Sequence, residues 1–220
     1  MISRIEIKSK VFDTKAKVRK RRLVDQGLIG KLKDICIVDV YTLEKKLSSN
    51  QISKIASILS NPITEEVTIL NPKLIPKSKI NKFSWAIEIG YLPGVTDNIA
   101  ATAKEAIEDL LKVQFSQSEG VYTSQTTFID GDLTSSHTKR IADSLYNPII
   151  QRVSIKSYSE YIRDYGKDFV VPKVKLRNKP QVDNIKLDVF DEELKKTGKE
   201  GIKNSDGTRR GPLALSLPFM

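Results

Sequence analysis

The sequence predicts an α+β protein of two similar strand-helix-strand-helix-strand halves, followed by a largely extended C-terminal arm with a short helix. The main observation is a repeat. Residues 47–69 (LSSNQISKIASILSNPITEEVTI) recur in similar form at residues 133–155 (LTSSHTKRIADSLYNPIIQRVSI), with a constant offset and no gap. Two further observations agree with this. Patterns typical of strand, helix and strand precede each copy, and the pattern of residues changes after the second copy.

Each copy of the repeat predicts a helix followed by a strand. A polar Ser/Thr/Asn cluster opens the copy and can accept the free backbone N–H groups of a helix start. An Asn-Pro pair ends the helix, because proline lacks an N–H and disfavours the helical conformation in the residue before it. Between them, apolar residues at three- and four-residue spacing give one buried stripe, formed by Ile52, Ile55, Ala56 and Leu59 or by Ile141, Ala142 and Leu145.

The first half-domain is predicted to span residues 1–70, and three kinds of signal define its elements. Apolar and polar alternation indicates strands, side-chain oxygens before an apolar stripe indicate helix starts, and glycines indicate helix ends. These signals give a strand with Ile2, Ile5 and Ile7, a helix from Asp13 or Thr14 to Gly27 and Gly30, and a strand at residues 35–41. The first copy of the repeat then adds a helix and a third strand.

Residues 71–82 are predicted to form a linker, because they contain Pro72, Pro76 and several lysines but too few apolar residues for a core. The second half-domain, residues 83–170, has the same order of elements as the first. Its signals give a strand at residues 83–89, a helix at residues 99–113 capped by Asp97 or Asn98, and a strand at residues 121–129. The second copy of the repeat completes this half.

Two such cycles imply helices on one face of each half sheet. The remaining faces or edges of the two half sheets are then available to join each other. We therefore expect a pseudo-dimer within a single chain, with an antiparallel or mixed sheet. The half sheets are expected to lie either back to back or edge to edge.

The end of the second half-domain and the arm carry different signals. The arm, residues 171–220, is expected to be extended except for a short charged helix at residues 191–199 (DEELKKTGK). Its polar, glycine-rich residues 204–212 are expected to be mobile on their own, and the closing LALSLPFM begins a helix that it does not finish. Before the arm, an aromatic stripe is expected to pack on the domain, formed by Tyr158, Tyr161, Tyr165 and Phe169.

The formal net charge of +10 raises the question of a nucleic-acid partner. The largest basic cluster lies at residues 15–22 (KAKVRKRR) on the first predicted helix, where we expect Val18 and Leu23 to face inward and the basic residues outward. A solvated helix face is therefore the favoured interpretation. A single-stranded nucleic-acid-binding α+β module is the alternative, but no predicted strand is rich enough in aromatic residues to stack bases.

The sequence lacks recognisable targeting, membrane-spanning and catalytic motifs, and this shapes the expected location and activity. The N-terminal MISRIEIKSK has no apolar run long enough for a signal peptide or membrane span, so we expect a cytoplasmic protein without a membrane partner. The single cysteine, Cys36, is interpreted as a buried strand residue, and the single histidine, His137, as a helix-surface residue. We find no phosphate loop, metal spacing or nucleophile-base pair, and therefore assign no catalytic, cofactor-binding or metal residue.

A family resemblance appears at the end of the chain. Residues 208–217 (TRRGPLALSL), the DEEL helix and the two-cycle N-terminal part resemble the start of phosphoribosylformylglycinamidine synthase, a glutamine-dependent C–N ligase of purine biosynthesis. In that family a duplicated domain, similar to a dimer of a small non-catalytic subunit, precedes a short linker domain and the synthetase. The resemblance implies a partner-contact segment at Thr208, Arg209, Arg210, Gly211, Pro212, Leu213 and Leu215.

The resemblance also implies what this chain does in the larger enzyme. The family's synthetase domains bind ATP, magnesium and formylglycinamide ribonucleotide, and its glutaminase domain supplies ammonia from glutamine. The present chain ends before such domains would begin, so we expect it to be inactive alone and to hold synthetase and glutaminase together for ammonia transfer. Two alternatives stay open: the polypeptide continues beyond Met220, or it is a separate subunit whose synthetase partner is encoded elsewhere.

Overall fold

The structure is a computed structural model that describes residues 2–28, 30–70, 82–164, 169–174, 188–202, 204, 207–209 and 211. The chain divides into two compact units, Met1–Val174 and Lys175–Met220. The predicted linker, apart from Lys82, and Tyr165 of the predicted aromatic stripe lie outside the described residues.

The first unit is built on one antiparallel sheet of six strands. The strands are β1 (Ile2–Ser9), β2 (Leu32–Glu44), β3 (Glu65–Leu70), β4 (Trp85–Tyr91), β5 (Gly120–Gly131) and β6 (Gln151–Ser157). Their order across the sheet is β3-β1-β2-β5-β4-β6, and every neighbouring pair is antiparallel. The predicted α+β class is confirmed. Because β2 and β5 pair directly, the sheet is continuous and not divided into two stacked layers.

The helices lie close to their predicted positions. In the first unit they are α1 (Thr14–Leu23), α2 (Ser49–Leu59), α3 (Asn98–Leu111), α4 (Ser135–Leu145) and α5 (Tyr158–Arg163), and in the second unit α6 (Asp191–Glu200). A π-helical segment, Val24–Leu28, extends α1. Gly27 in that segment has a φ of 94°, a conformation that glycine adopts readily and other residues rarely do, so the helix ends where the glycine predicts.

Side-chain oxygens explain where α1–α4 begin. Each helix has an N-cap that accepts the backbone N–H of the residue three positions later, and the caps are Asp13, Ser48, Asp97 and Thr134. At both places where the sequence left two capping residues open, the aspartate is the cap. The two copies of the repeat also share a reciprocal capping box, in which the third helical residue bonds back to the cap.

The pairing registers of the first three strands match those of the last three. Ile5 lies opposite Tyr41 and Ile69, while Ile87 lies opposite Thr127 and Ile155. An offset of 86 residues relates Tyr41 to Thr127 (127 − 41) and Ile69 to Ile155 (155 − 69), the same offset as in the repeat. At the centre of the β2–β5 pair, Asp39 lies opposite Gln125, which is 86 residues further along the chain.

Two apolar cores lie on the face of the sheet that carries α1–α4, and each core joins elements from distant parts of the chain. The first core combines Ile5 and Ile7 of β1 and the stripe of α2 with Ile107 of α3. The second core combines Ala16 of α1 with Ile87 of β4 and the stripe of α4. Thus α3, which follows β4 in sequence, shares the first core with β1 and α2, and α1, which follows β1, shares the second core with β4 and α4. The strands that these two helices contact most are β5 for α3 and β2 for α1.

The opposite face of the sheet carries a third, smaller core. It consists of Val38, Val40, Phe83, Ala86, Phe128 and Tyr161. Tyr161 of α5 is buried with its ring edge against Phe83 and Phe128, at centroid distances of 5.1 and 5.6 Å. For this residue the predicted packing of the aromatic stripe is confirmed.

One side chain on α1 differs from the sequence prediction. Leu23 is buried as expected, but Val18 is 47% exposed. The helical repeat explains the difference, because Ala16 and Leu23 are two turns apart on the buried side of α1, and Val18 is rotated away from both. An apolar side chain therefore remains on the basic surface of this helix.

Replacing Ile107 by alanine should lower the free energy of unfolding by about 2–5 kcal/mol, because it opens a cavity in the first core. Ile99 on the same helix is 59% exposed, so Ile99→Ala is the matched control and should change stability by no more than about 0.5 kcal/mol. Urea unfolding of both variants measures the difference. Equal effects would show that α3 does not contribute to the core that contains β1.

Candidate functional site

A cluster of buried charges lies on the face of the sheet opposite α1–α4. Arg4 of β1 donates from Nε to Glu6 Oε1 at 2.9 Å, and its two terminal nitrogens donate to both carboxylate oxygens of Glu88 at 3.0 Å each. All three side chains are buried. Glu88 belongs to β4, so this bidentate contact connects the first three strands to the last three.

The strand registers explain why two carboxylates meet one guanidinium. Ile5 of β1 and Ile87 of β4 occupy equivalent positions in the sheet. The residues after them, Glu6 and Glu88, are therefore equivalent, and so are the residues before them, Arg4 and Ala86. Matching strands thus supply two carboxylates but only one arginine. The Ser124 hydroxyl donates a further hydrogen bond of 2.6 Å to Glu88 Oε1.

Burial and charge in this region shift the pKa values of Arg4 and of the neighbouring Tyr161. Burial alone lowers the pKa of Arg4, but the charges and hydrogen bonds of Glu88 and Glu6 outweigh it, so the pKa is raised above its usual value. Burial, followed by the charge of Glu6, raises the pKa of the neighbouring Tyr161. Arg4 is therefore charged at neutral pH.

The space around this cluster is small. A cavity of about 20 Å³ lies against Glu88, Arg152 and Tyr161, which is room for about one water molecule. A metabolite does not fit there. Burying several charges has a desolvation penalty that often exceeds the gain in Coulomb energy, so such clusters can serve to fix a structure more than to stabilise it. The geometry assigns the Arg4 cluster the role of fixing how β1 and β4 lie relative to each other.

A second polar arrangement lies at the middle of the face that carries the helices. Gln125 donates a hydrogen bond of 2.7 Å to Asp39, its opposite residue across the β2–β5 pair. Arg19 of α1 donates to Gln125 and Thr127 at 2.7 and 2.6 Å. Burial lowers the pKa of Arg19, and it raises that of Tyr41 together with the charge of Asp39. These bonds attach α1 to β5.

The predicted partner-contact segment is partly visible in the second unit, where it makes a turn. The side chain of Arg209 lies 3.1 Å from a carboxylate oxygen of Glu200 and donates to the carbonyl of Gly201 at 3.0 Å. Gly211 N–H donates to the carbonyl of Glu200 at 3.1 Å. The described residues of this segment fold back onto the end of α6.

Gly201 is required by this turn. Its φ is 81°, and a Cβ atom at this position would lie 1.9 Å from the carbonyl oxygen of Gly211. Thr208 is exposed, and Arg209 and Gly211 are half-buried. The other four predicted contact residues, Arg210, Pro212, Leu213 and Leu215, lie outside the described part of the chain.

The single histidine and the single cysteine both contribute to the fold. His137 occupies the third position of α4, where its Nδ1 takes part in the capping box with Thr134. Cys36 is half-buried on β2 and packs against the third core. Within the described ranges, no three acidic, histidine or cysteine side chains are grouped to hold a metal ion, and no helix is long and apolar enough to cross a membrane.

Sequence reasoning missed the Arg4 cluster, although a signal was present. The tripeptide Ile-Glu-Ile occurs at Ile5 to Ile7 and again at Ile87 to Ile89, each time in the first strand of its half. A glutamate between two strand isoleucines faces the opposite side of the sheet from them. Its recurrence in both halves indicates a shared polar position on that side.

Neither a protein-family model nor a curated protein matches this sequence.

Replacing Arg4 by methionine should lower the free energy of unfolding by about 3–5 kcal/mol, because it leaves two buried carboxylates without their guanidinium. The loss should shrink on acidification from about pH 8 to pH 5, because the folded variant then binds protons more readily than the unfolded one. Chemical denaturation at the two pH values measures both effects.

Lys8→Met is the matched control on the same strand. Lys8 pairs with Glu66 at 3.8 Å, and both side chains are partly exposed, so its loss should change stability by no more than about 1 kcal/mol. The triple variant Arg4→Met, Glu6→Gln, Glu88→Gln should recover part of the stability lost in Arg4→Met. An Arg4→Met protein as stable as Lys8→Met would refute the role given to the cluster.

Proposed function

We propose that this chain is the scaffold part of a phosphoribosylformylglycinamidine synthase, acting in the cytoplasm. In this role it makes no bond itself. It holds a synthetase domain, which uses ATP and magnesium, and a glutaminase domain in register, so that ammonia passes between them. The observation that carries the proposal is the equal strand register about the Asp39–Gln125 pair, combined with the resemblance of residues 208–217 to that family.

The equal registers support an internal pseudo-dimer, the architecture that the resemblance implies. In this interpretation β1–β3 with α1 and α2 correspond to β4–β6 with α3 and α4. The exchange of α1 and α3 between the two cores is what an obligate dimer interface, fused into one chain, would contain. A domain whose halves complete each other is rigid, as a spacer between two enzymes must be.

Two matching apolar side chains support a scaffold with two contacts. Ile63 and Ile149 are 82% and 81% exposed, and they follow the Asn-Pro pairs of the two repeat copies. Each is held in the same turn, where the preceding asparagine side chain accepts the isoleucine N–H at 2.9 or 3.0 Å. The turns lead into β3 and β6, the two edge strands, so they lie at opposite edges of the sheet. Such rigid apolar tips suit two partner domains.

The turn in the second unit supports a defined path for the arm. Arg209 and Gly201 fix the chain at the end of α6, and the residues that follow carry the family-like string. In the proposed enzyme these residues lie along the synthetase domain. Arg209 then acts by shaping the turn, and the apolar residues after it supply the contact.

Deleting residues 204–220 should weaken association with the synthetase polypeptide of the same organism by at least about tenfold, because it removes the proposed contact segment. The first unit should remain folded, since none of its described elements includes these residues. Calorimetric titration measures the affinity, and circular dichroism with thermal unfolding checks the fold.

The matched control replaces residues 204–220 by a glycine-serine segment of equal length, which should bind as weakly as the deletion. Unchanged affinity in both variants, with the fold intact, would remove the arm from the proposal. No association between the intact chain and any synthetase would reject the scaffold function.

A further inference from the structure

We propose that a groove between α1 and the end of α4 binds an acidic amphipathic segment of a partner protein. The groove has a volume of about 530 Å³. Its lining combines basic, apolar and hydroxyl side chains, namely Thr14, Lys15, Val18, Arg19, Arg22, Leu23, Ser144 and Leu145. This proposal is independent of the purine-ligase function, because it rests on the groove alone.

Charge is the first argument. The groove is lined by three cations and, among the residues described, by no carboxylate. Lys15 lies 3.6 Å from Asp39, but both side chains are largely exposed, so that pair is weak. No described carboxylate forms an ion pair with Arg19 or Arg22. The groove therefore presents positive charge that an acidic partner would neutralise.

The fixed position of Arg19 is the second argument. Thr127 and Gln125 hold its guanidinium through neutral oxygens, which orient the side chain, while the charges of Asp39 and Asp13 offset its positive charge only in part. Two of the five N–H donors of an arginine are thus engaged in these bonds. A carboxylate that approaches from the groove meets a cation whose conformational entropy has already been lost, which favours binding.

The apolar residues that line the groove favour a protein partner over a nucleic acid. Val18 is half-exposed in the groove, and Leu23 and Leu145 lie beneath it, where they contact the second core. Among the described residues that line the groove there is no aromatic ring on which bases of a nucleic acid could stack. Aliphatic side chains flanked by cations match a helix with leucines on one face and carboxylates beside them.

The length of the groove sets the size of the segment. The lining residues of α1 run from Thr14 to Leu23, about 14 Å along the helix axis at 1.5 Å per residue. A partner segment of two to three helical turns covers about the same distance. The proposed ligand is therefore short, and its expected affinity is in about the micromolar range.

The test uses the intact 220-residue chain and a fluorescein-labelled helical peptide of about 16 residues, with leucines at i, i+3, i+4 and i+7 and glutamates beside them. A peptide of the same composition with scrambled leucines is the control ligand. Fluorescence anisotropy should show binding of the first peptide that is at least about tenfold tighter than binding of the second.

Adjacent arginines on α1 provide the matched protein variants. Arg21 and Arg22 are both exposed, but only Arg22 lines the groove. Arg22→Glu should weaken peptide binding at least about tenfold, whereas Arg21→Glu should change it no more than about twofold. Equal losses in the two variants would mean that net charge, and not the groove, binds the peptide, and would overturn the proposal.

Val18→Asn separates a peptide from a nucleic acid. It should weaken binding of the amphipathic peptide and leave binding of a single-stranded oligothymidylate unchanged, because the backbone of a nucleic acid needs only the cations. An oligothymidylate that binds more tightly than the peptide, with the same dependence on Arg22, would overturn the proposal in favour of a nucleic-acid site. Urea unfolding of each variant confirms that the fold is retained.

Discussion

The direct pairing of β2 with β5 is the constraint on which the rest of the first unit depends. It joins three strands from residues 2–70 to three from residues 82–157 in one continuous sheet. It also brings α1 and α3 into cores that contain strands from the other end of the chain, since α1 shares a core with β4 and α3 shares a core with β1. Polar contacts cross this junction on both faces of the sheet, among them Gln125 with Asp39 on one face and Arg4 with Glu88 on the other.

In the proposed pseudo-dimer, these two contacts favour pairing between unlike halves. Two copies of the first half would place one Asp39 opposite another, and like charges directly opposite in a sheet repel. Two copies of the second half would bury two Glu88 side chains with Ala86 in the place of Arg4, so neither carboxylate would have the bidentate contact that Arg4 supplies. In the observed combination Asp39 meets the amide of Gln125, and Arg4 contacts both Glu6 and Glu88.

Local signals in the sequence predicted most of the secondary structure, and the contacts between distant residues were not predictable. Asp97 as a helix cap and the strand after each Asn-Pro pair depend on neighbours in sequence, which a pattern records. The exchange of α1 and α3 between cores and the meeting of Arg4 with Glu88, 84 residues apart, depend on strand order, for which the sequence left two arrangements open. The exposure of Val18 was not predictable for a related reason, because a short helix with many basic residues has no clear apolar stripe to show which side is buried.

Splitting the chain tests most directly whether the two halves complete each other. Residues 1–70 and 82–174 would be produced as separate polypeptides and studied by analytical ultracentrifugation and urea unfolding, alone and mixed. The structure predicts that neither fragment unfolds cooperatively as a monomer and that the mixture forms a one-to-one complex with the circular dichroism of the intact unit. A fragment that folds alone as a stable monomer, or two fragments that fail to combine, would contradict the account.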